Sequence, residues 1–84
     1  MQVLVTGAGG SLGRQVCREL LGRGHAVRAA DVPGVDLSEF AGSAEVVAAD
    51  VRDADLVARL TSDVDAVVHL AALLPPASER DRAL

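Results

Sequence analysis

Eighty-four residues make one domain at most, burying about 60 to 70% of the surface its unfolded chain would expose. Half of the residues are hydrophobic and Phe40 is the single aromatic, so the core must be built from Val, Ala and Leu, as in parallel strands covered by helices. The net charge of −4 speaks against nucleic acid or an anionic membrane as partner, no run reaches the ~20 apolar residues of a membrane span, and no secretory signal opens the chain, so the expected location is cytoplasmic.

In chain order, Gln2 to Thr6 reads as a short buried strand that runs into Gly7-Ala8-Gly9-Gly10-Ser11-Leu12-Gly13 and then a helix. Each of three glycines has its own reason to lack a Cβ. Gly7 makes the tight turn out of the strand, Gly10 leaves room where phosphates must approach the backbone, and Gly13 lets the helix lie close on the strand. The free N–H groups and partial positive charge of the helix N-terminus then favour a diphosphate without any lysine. Leu12, Val16, Leu20 and Leu21 recur at helical spacing, and Gly22-Arg23-Gly24 supplies the stop. Cys17 is the only cysteine, which leaves no internal disulfide and no thiol cluster; it reads as a small packing residue, and His25 as structural or solvent-facing.

A second strand, Ala26 to Ala30, ends on Asp31, close to the ~20 residues beyond the glycines at which a ribose-binding acid is expected. A carboxylate there accepts from the adenosine ribose hydroxyls and repels a 2′-phosphate, favouring NAD over NADP; the plainer alternative is a solvated aspartate before Val32-Pro33-Gly34. Arg28, the other group able to meet a phosphate, lies three residues earlier and points to the opposite face of an extended strand.

The piece from Pro33 to Ser43 is the least regular, with Asp36 to Phe40 able to form one short turn of helix. Glu45 to Ala49 reads as a third strand ending on Asp50-Val51, Asp53 as the N-cap of a helix carrying Leu56, Val57 and Leu60 on one face, and Ala66 to Leu70 as a fourth strand leading into Ala71-Ala72. Four buried strands alternating with helices, without hairpin signals, predict an α/β fold: the first half of a doubly wound parallel sheet, strand order 3-2-1-4. A ligand would lie over the carboxyl ends of strands one and four. Asp50 could accept from the adenine amino group there with the Val51 backbone beside the ring, or be only a loop acid next to the Asp53 cap. Ala71 and Ala72 would keep the floor low beneath the ribose and nicotinamide, and His69 is expected as a hydrogen-bonded core histidine.

Thr6-Gly7-Ala8-Gly9-Gly10-Ser11-Leu12-Gly13 resembles the TGxxGxxG motif of the short-chain dehydrogenase/reductase superfamily. Asp50-Val51-Arg52-Asp53 resembles its adenine-side acidic motif, and His69-Leu70-Ala71-Ala72 the HxAA motif of the extended branch. The combination is similar to NAD-dependent epimerase/dehydratase proteins, which act on nucleotide sugars, steroids and other hydroxyl or carbonyl substrates. The resemblance implies a Rossmann-like fold in which Ser11 and Leu12 line the pyrophosphate turn, Asp31 binds the ribose, Asp50 and Val51 flank adenine, and Leu70 to Leu74 pass beneath the nicotinamide half. Family catalysis relies on a Tyr-x-x-x-Lys pair, and these residues include neither tyrosine nor lysine. Ser78 to Leu84 reads as the start of a helix. The expectation is therefore that residues 1–84 are the truncated, N-terminal cofactor-binding half of a longer enzyme, inactive alone and open to self-association along the fourth strand's free edge. Two readings stay open beside it: a complete non-catalytic dinucleotide-binding or sensor module, and a ligand-free piece whose glycines serve only packing. A P-loop hydrolase is dropped, since its phosphate-binding lysine is missing.

Overall fold

Four parallel strands and two helices emerge in the computed structural model, which describes residues 1–50 and 52–70. The chain runs β1 (Gln2–Thr6), α1 (Ser11–Gly22), β2 (Ala26–Asp31), a 3-10 turn at Ser38–Phe40, β3 (Glu45–Ala48), α2 (Ala54–Thr61) and β4 (Ala66–His69). The sheet order is β3-β2-β1-β4, as expected from the sequence. Thr6 pairs with Ala30 on one side and His69 on the other, and Asp31 with Ala48, so all four carboxyl ends finish at one edge of the sheet. Among the described residues no helix is long and apolar enough to cross a membrane.

Alternation within the two central strands divides the core. Val3, Val5, Val27 and Ala29 turn one face toward α1, where they pack with Ala8, Cys17, Leu37 and Phe40. Phe40, Leu4, Val5 and Cys17 are the largest fully buried side chains, so Cys17 takes the packing role read from sequence and burial pushes its thiol pKa up. Helix α1 ends in a Schellman arrangement: His25 N–H donates to the Leu20 carbonyl and Gly24 N–H to Leu21, with Gly24 at φ +86°. Helix α2 begins as expected, with Asp53 accepting from Leu56 N–H at 3.1 Å.

The expectation of four buried strands holds only for the central pair. Most of β3 and half of β4 are exposed, with Val46 41% and Val67 47% accessible, because each strand has a sheet neighbour on one side only and α2 buries none of its residues fully. Leu56, Val57 and Leu60 are partly buried. Leu12 also departs from its place in the helical stripe: it is 59% exposed, and the residues α1 buries are Gly13 and Cys17. Strand β3 stops at Ala48, one residue early, although Ala49 N–H still donates to the Asp31 carbonyl at 2.8 Å.

Candidate functional site

The glycine turn sits where β1 meets α1. Gly7 adopts φ +74°, and its carbonyl accepts from Gly10 N–H at 3.1 Å, closing the turn. A Cβ on Gly13 would stand 2.0 Å from the Gly7 oxygen and 2.8 Å from the Ala8 Cα, so Gly13 is required for the helix to rest on the strand. Gly10 differs: a Cβ there would meet only the Gly7 oxygen at an ordinary 3.6 Å, with open space beyond. Gly10 is also the N-cap of α1, in extended conformation and with no side-chain cap. The first-turn N–H groups of Ser11, Leu12 and Gly13 are thus left for an anion, and both Ser11 and Leu12 are exposed.

Asp31 does more than the sequence suggests. Its Oδ2 accepts from Gly9 N–H at 2.8 Å and its Oδ1 from Val32 N–H at 2.8 Å, which fixes the half-buried carboxylate against the glycine turn. An ionised carboxylate has about four lone-pair sites, so acceptor capacity remains for a ligand hydroxyl. Gly9 was not singled out by the sequence, yet a Cβ on it would lie 2.1 Å from Val35 Cγ1 and 3.0 Å from Asp31 Oδ2. The loop after β2 therefore closes directly onto the second glycine of the turn. The same loop is tied down by Arg14, which donates through Nε to the Gly9 carbonyl at 3.0 Å and through a terminal nitrogen to the Asp36 carbonyl at 2.6 Å. Its other terminal nitrogen reaches Glu39 at 3.0 Å, and Glu39 is shared with Arg18. These two arginines, Arg18 foremost, hold the Glu39 carboxyl below the usual carboxylate range.

Arg28 is engaged elsewhere. It donates to Glu45 at 3.0 Å, to Asp63 at 2.7 and 3.1 Å and to the Leu60 carbonyl at 2.7 Å, an arrangement that links β2, β3 and α2. The Asp63 hydrogen bonds raise its pKa against the opposing effect of burial.

At the far end of the strand edge, Asp50 is half-buried and its two oxygens are occupied by Arg52: Nε at 3.0 and 3.1 Å, a terminal nitrogen at 2.6 Å and the backbone N–H at 2.9 Å. These bonds hold the Asp50 pKa down to about 2. Leu70 is half-buried and its N–H donates to the Thr6 carbonyl at 3.0 Å, continuing the line of β4 alongside β1. His69 is hydrogen-bonded as expected, its Nδ1 2.8 Å from Thr6 Oγ1, but it is exposed rather than a core residue, because β4 lies at the sheet edge. Val51, Ala71 and Ala72 lie outside the described residues. Of the sequence-predicted residues, the structure gathers Gly7, Gly10, Ser11, Leu12, Gly13, Asp31, Asp50 and Leu70 along the carboxyl edge of the sheet.

Residues 3–83 match the model of the NAD dependent epimerase/dehydratase family. The chain belongs to that family. Among its epimerase/dehydratase relatives, a 3 beta-hydroxysteroid dehydrogenase/Delta 5→4-isomerase of Mycobacterium tuberculosis is 37% identical over 73 residues, 87% of this chain and 20% of that protein. A UDP-glucose-4-epimerase from Stenotrophomonas maltophila, solved with bound NAD and formylated UDP-arabinopyranose, is 40% identical and superimposes with a TM-score of 0.76 over 87% of this chain and 25% of its own. Uronate dehydrogenase from Agrobacterium tumefaciens is 37% identical with a TM-score of 0.69, over 82% of this chain and 25% of that one. The chain thus spans about a quarter of the length of these solved structures, and 8 to 21% of the curated relatives. The parallel order 3-2-1-4 is that of a Rossmann-like sheet.

Proposed function

We propose that this chain is the NAD-binding portion of an NAD-dependent epimerase/dehydratase-type oxidoreductase, working in the cytoplasm. The observation that carries the reading is the contrast at the glycine turn. Gly13 is demanded by packing, whereas the room at Gly10 serves no contact of the fold and opens beside uncapped helix N–H groups. Gly22, Gly24, Gly34 and Gly42 have open space too, so it is the position of the room at Gly10, beside the uncapped N–H groups, that supports this reading over a ligand-free role.

In this reading the N–H groups of Ser11, Leu12 and Gly13 hold the diphosphate, and Gly10 lets it reach the backbone. Asp31, already pinned by Gly9 and Val32, offers its remaining lone pairs to the adenosine ribose hydroxyls and repels a 2′-phosphate. Asp50 accepts from the adenine amino group once the exposed Arg52 guanidinium that holds it here turns away, with Val51 beside the ring, and Leu70, Ala71 and Ala72 lie beneath the nicotinamide half. NAD supplies, when bound, the ring that exchanges a hydride with the substrate. The residues at hand bind and orient it; with no tyrosine or lysine among them, they hold no Tyr-x-x-x-Lys pair to move the proton, so the 84 residues alone bind without turnover. The exposed edge of β4 is the place where two copies would associate, and light scattering at rising concentration tests this: a monomeric mass throughout refutes it.

Calorimetric titration with NAD and with NADP tests the main reading. Saturable NAD binding that weakens in Asp31→Ala, with NADP weaker in the wild type, is expected. No binding of either, or equal affinity of wild type and Asp31→Ala, overturns it.

A further inference from the structure

One arginine gathers what the glycine turn cannot hold for itself. Gly9 and Gly10 are consecutive residues without side chains, and glycine loses more backbone freedom on ordering than any other residue. Gly9 is nevertheless gripped at both polar atoms: its N–H by Asp31 at 2.8 Å and its carbonyl by Arg14 Nε at 3.0 Å. The same guanidinium reaches across to the Asp36 carbonyl at 2.6 Å and Glu39 at 3.0 Å, joining α1 to the segment that follows Asp31. Val35 from this segment closes over the Cα of Gly9, 2.1 Å from where a Cβ would be. Three donors of one planar fork therefore fix the Gly9 peptide and the loop on which the Asp31 carboxylate depends.

We infer that Arg14 is a positioning residue for cofactor binding: acting through Gly9 and the 32–39 loop, it presets the Asp31 carboxylate toward the ribose. The inference rests on the reading of Asp31 given above. Arg14 is not assigned a contact with the cofactor, since its nitrogens are committed to Gly9, Asp36 and Glu39. Its effect is preorganisation, the removal of an ordering cost that binding would otherwise meet. Because the work is done by a three-donor fork, lysine cannot replace it: an ammonium keeps the charge and loses the geometry.

The test is a cycle of NAD dissociation constants in the full-length product of the reading frame, for wild type, Arg14→Met, Asp31→Ala, the double variant and Arg14→Lys, each with its thermal midpoint. Arg14→Met is expected to bind about tenfold more weakly. Arg14→Lys should bind as weakly as Arg14→Met, and the double variant within about twofold of Asp31→Ala alone, since the two residues act as one unit. Lysine at wild-type affinity would make the role one of charge, and fully additive losses would make Arg14 independent of Asp31; either result overturns the inference. If Asp31→Ala weakens binding while Arg14→Met does not, the inference alone fails. If Asp31→Ala has no effect, the ribose reading fails and takes the inference with it. Should Arg14→Met not fold, Arg14→Lys, which retains the stem and the charge, carries the same comparison in both Asp31 backgrounds.

Discussion

Two alanine substitutions three residues apart should fail in opposite ways. In Gly13→Ala the new Cβ would sit 2.0 Å from the Gly7 oxygen, with the Ala8 Cα at 2.8 Å and the Gly7 carbonyl carbon at 2.9 Å. The closest of these is roughly 1.5 Å short of van der Waals separation, and the obstructing atoms are backbone, so helix and turn must move apart. Alanine's better helix propensity returns about 1 kcal/mol. Overpacking of this kind costs about 1 to 3 kcal/mol and sometimes more, and with backbone on both sides of the clash we place the net loss near 2 kcal/mol. For a domain of this size that lowers the thermal midpoint by about 10 °C. In Gly10→Ala the nearest atom is at 3.6 Å and the backbone, at φ −77° and ψ 169°, suits any residue. Alanine is a poorer N-cap than glycine but reduces the freedom of the unfolded chain, so stability should stay within about 1 kcal/mol of wild type. The methyl group instead fills the space assigned to the diphosphate, and NAD affinity should fall at least ~10-fold, about 1.4 kcal/mol. Thermal unfolding and calorimetric titration on the same preparations read both quantities. If Gly10→Ala binds NAD like the wild type, the space at Gly10 is not a phosphate cradle; if Gly13→Ala melts like the wild type, the packing argument is wrong.

Arg28→Met keeps the aliphatic stem and removes every hydrogen bond to Glu45, Asp63 and Leu60. A loss of about 1 to 3 kcal/mol in urea unfolding is expected, nearer the lower figure because both carboxylates are more than half exposed and regain water; an unchanged midpoint would show that the cluster contributes nothing. The Asp50 pKa of about 2 lies below its ordinary 3.8, so the stability linked to this group is present above pH 3.8 and is lost as pH falls through about 2. Asp36, Glu39 and Asp63 are lowered in the same direction and add to that acid limb. Arg52→Gln removes the guanidinium bonds but keeps the backbone N–H donor, so in an NMR titration the carboxyl resonance of Asp50 should move up toward, but not reach, its ordinary 3.8; an unchanged midpoint would mean that the guanidinium does not hold it.

The parts of the site legible in the sequence are those written in adjacent residues. Gly7 and Gly13 do what a strand-to-helix turn asks of them, Gly10 leaves open space beside them, and Asp31 stands at the end of the next strand because a strand, a helix and a strand take about that many residues. Gly9 and Arg14 were not legible, since their partners are Asp31, Val35, Asp36 and Glu39, brought over by the crossover and spaced more than twenty residues away. The apolar run around His69 says strand and nothing about whether that strand is central or at an edge, so the sequence reads as a buried histidine where the structure has an exposed one. Leu12 misled for a related reason: helical periodicity marks a stripe, and the sheet decides how much of it is covered.

The proposed ligand would span regions of unequal stability. The glycine turn and Asp31 stand on β1, β2 and α1, which contribute most of the fully buried residues. Asp50 follows β3 and Leu70 follows β4, edge strands flanked by a helix that buries none of its side chains fully. Local opening is cheapest where apolar contact is sparse, so amide exchange in β3, β4 and α2 should proceed through sub-global openings well before that of Val3 to Val5 and Val27 to Ala30. A ligand held at both ends must add protection preferentially at the weak end, because binding to the closed form stabilises it by mass action whereas the centre is already closed. Hydrogen exchange with and without saturating NAD measures this directly. Uniform protection in the free chain would refute the division of the fold, and a gain confined to the glycine turn and β2 would mean that Asp50 and Leu70 take no part in binding.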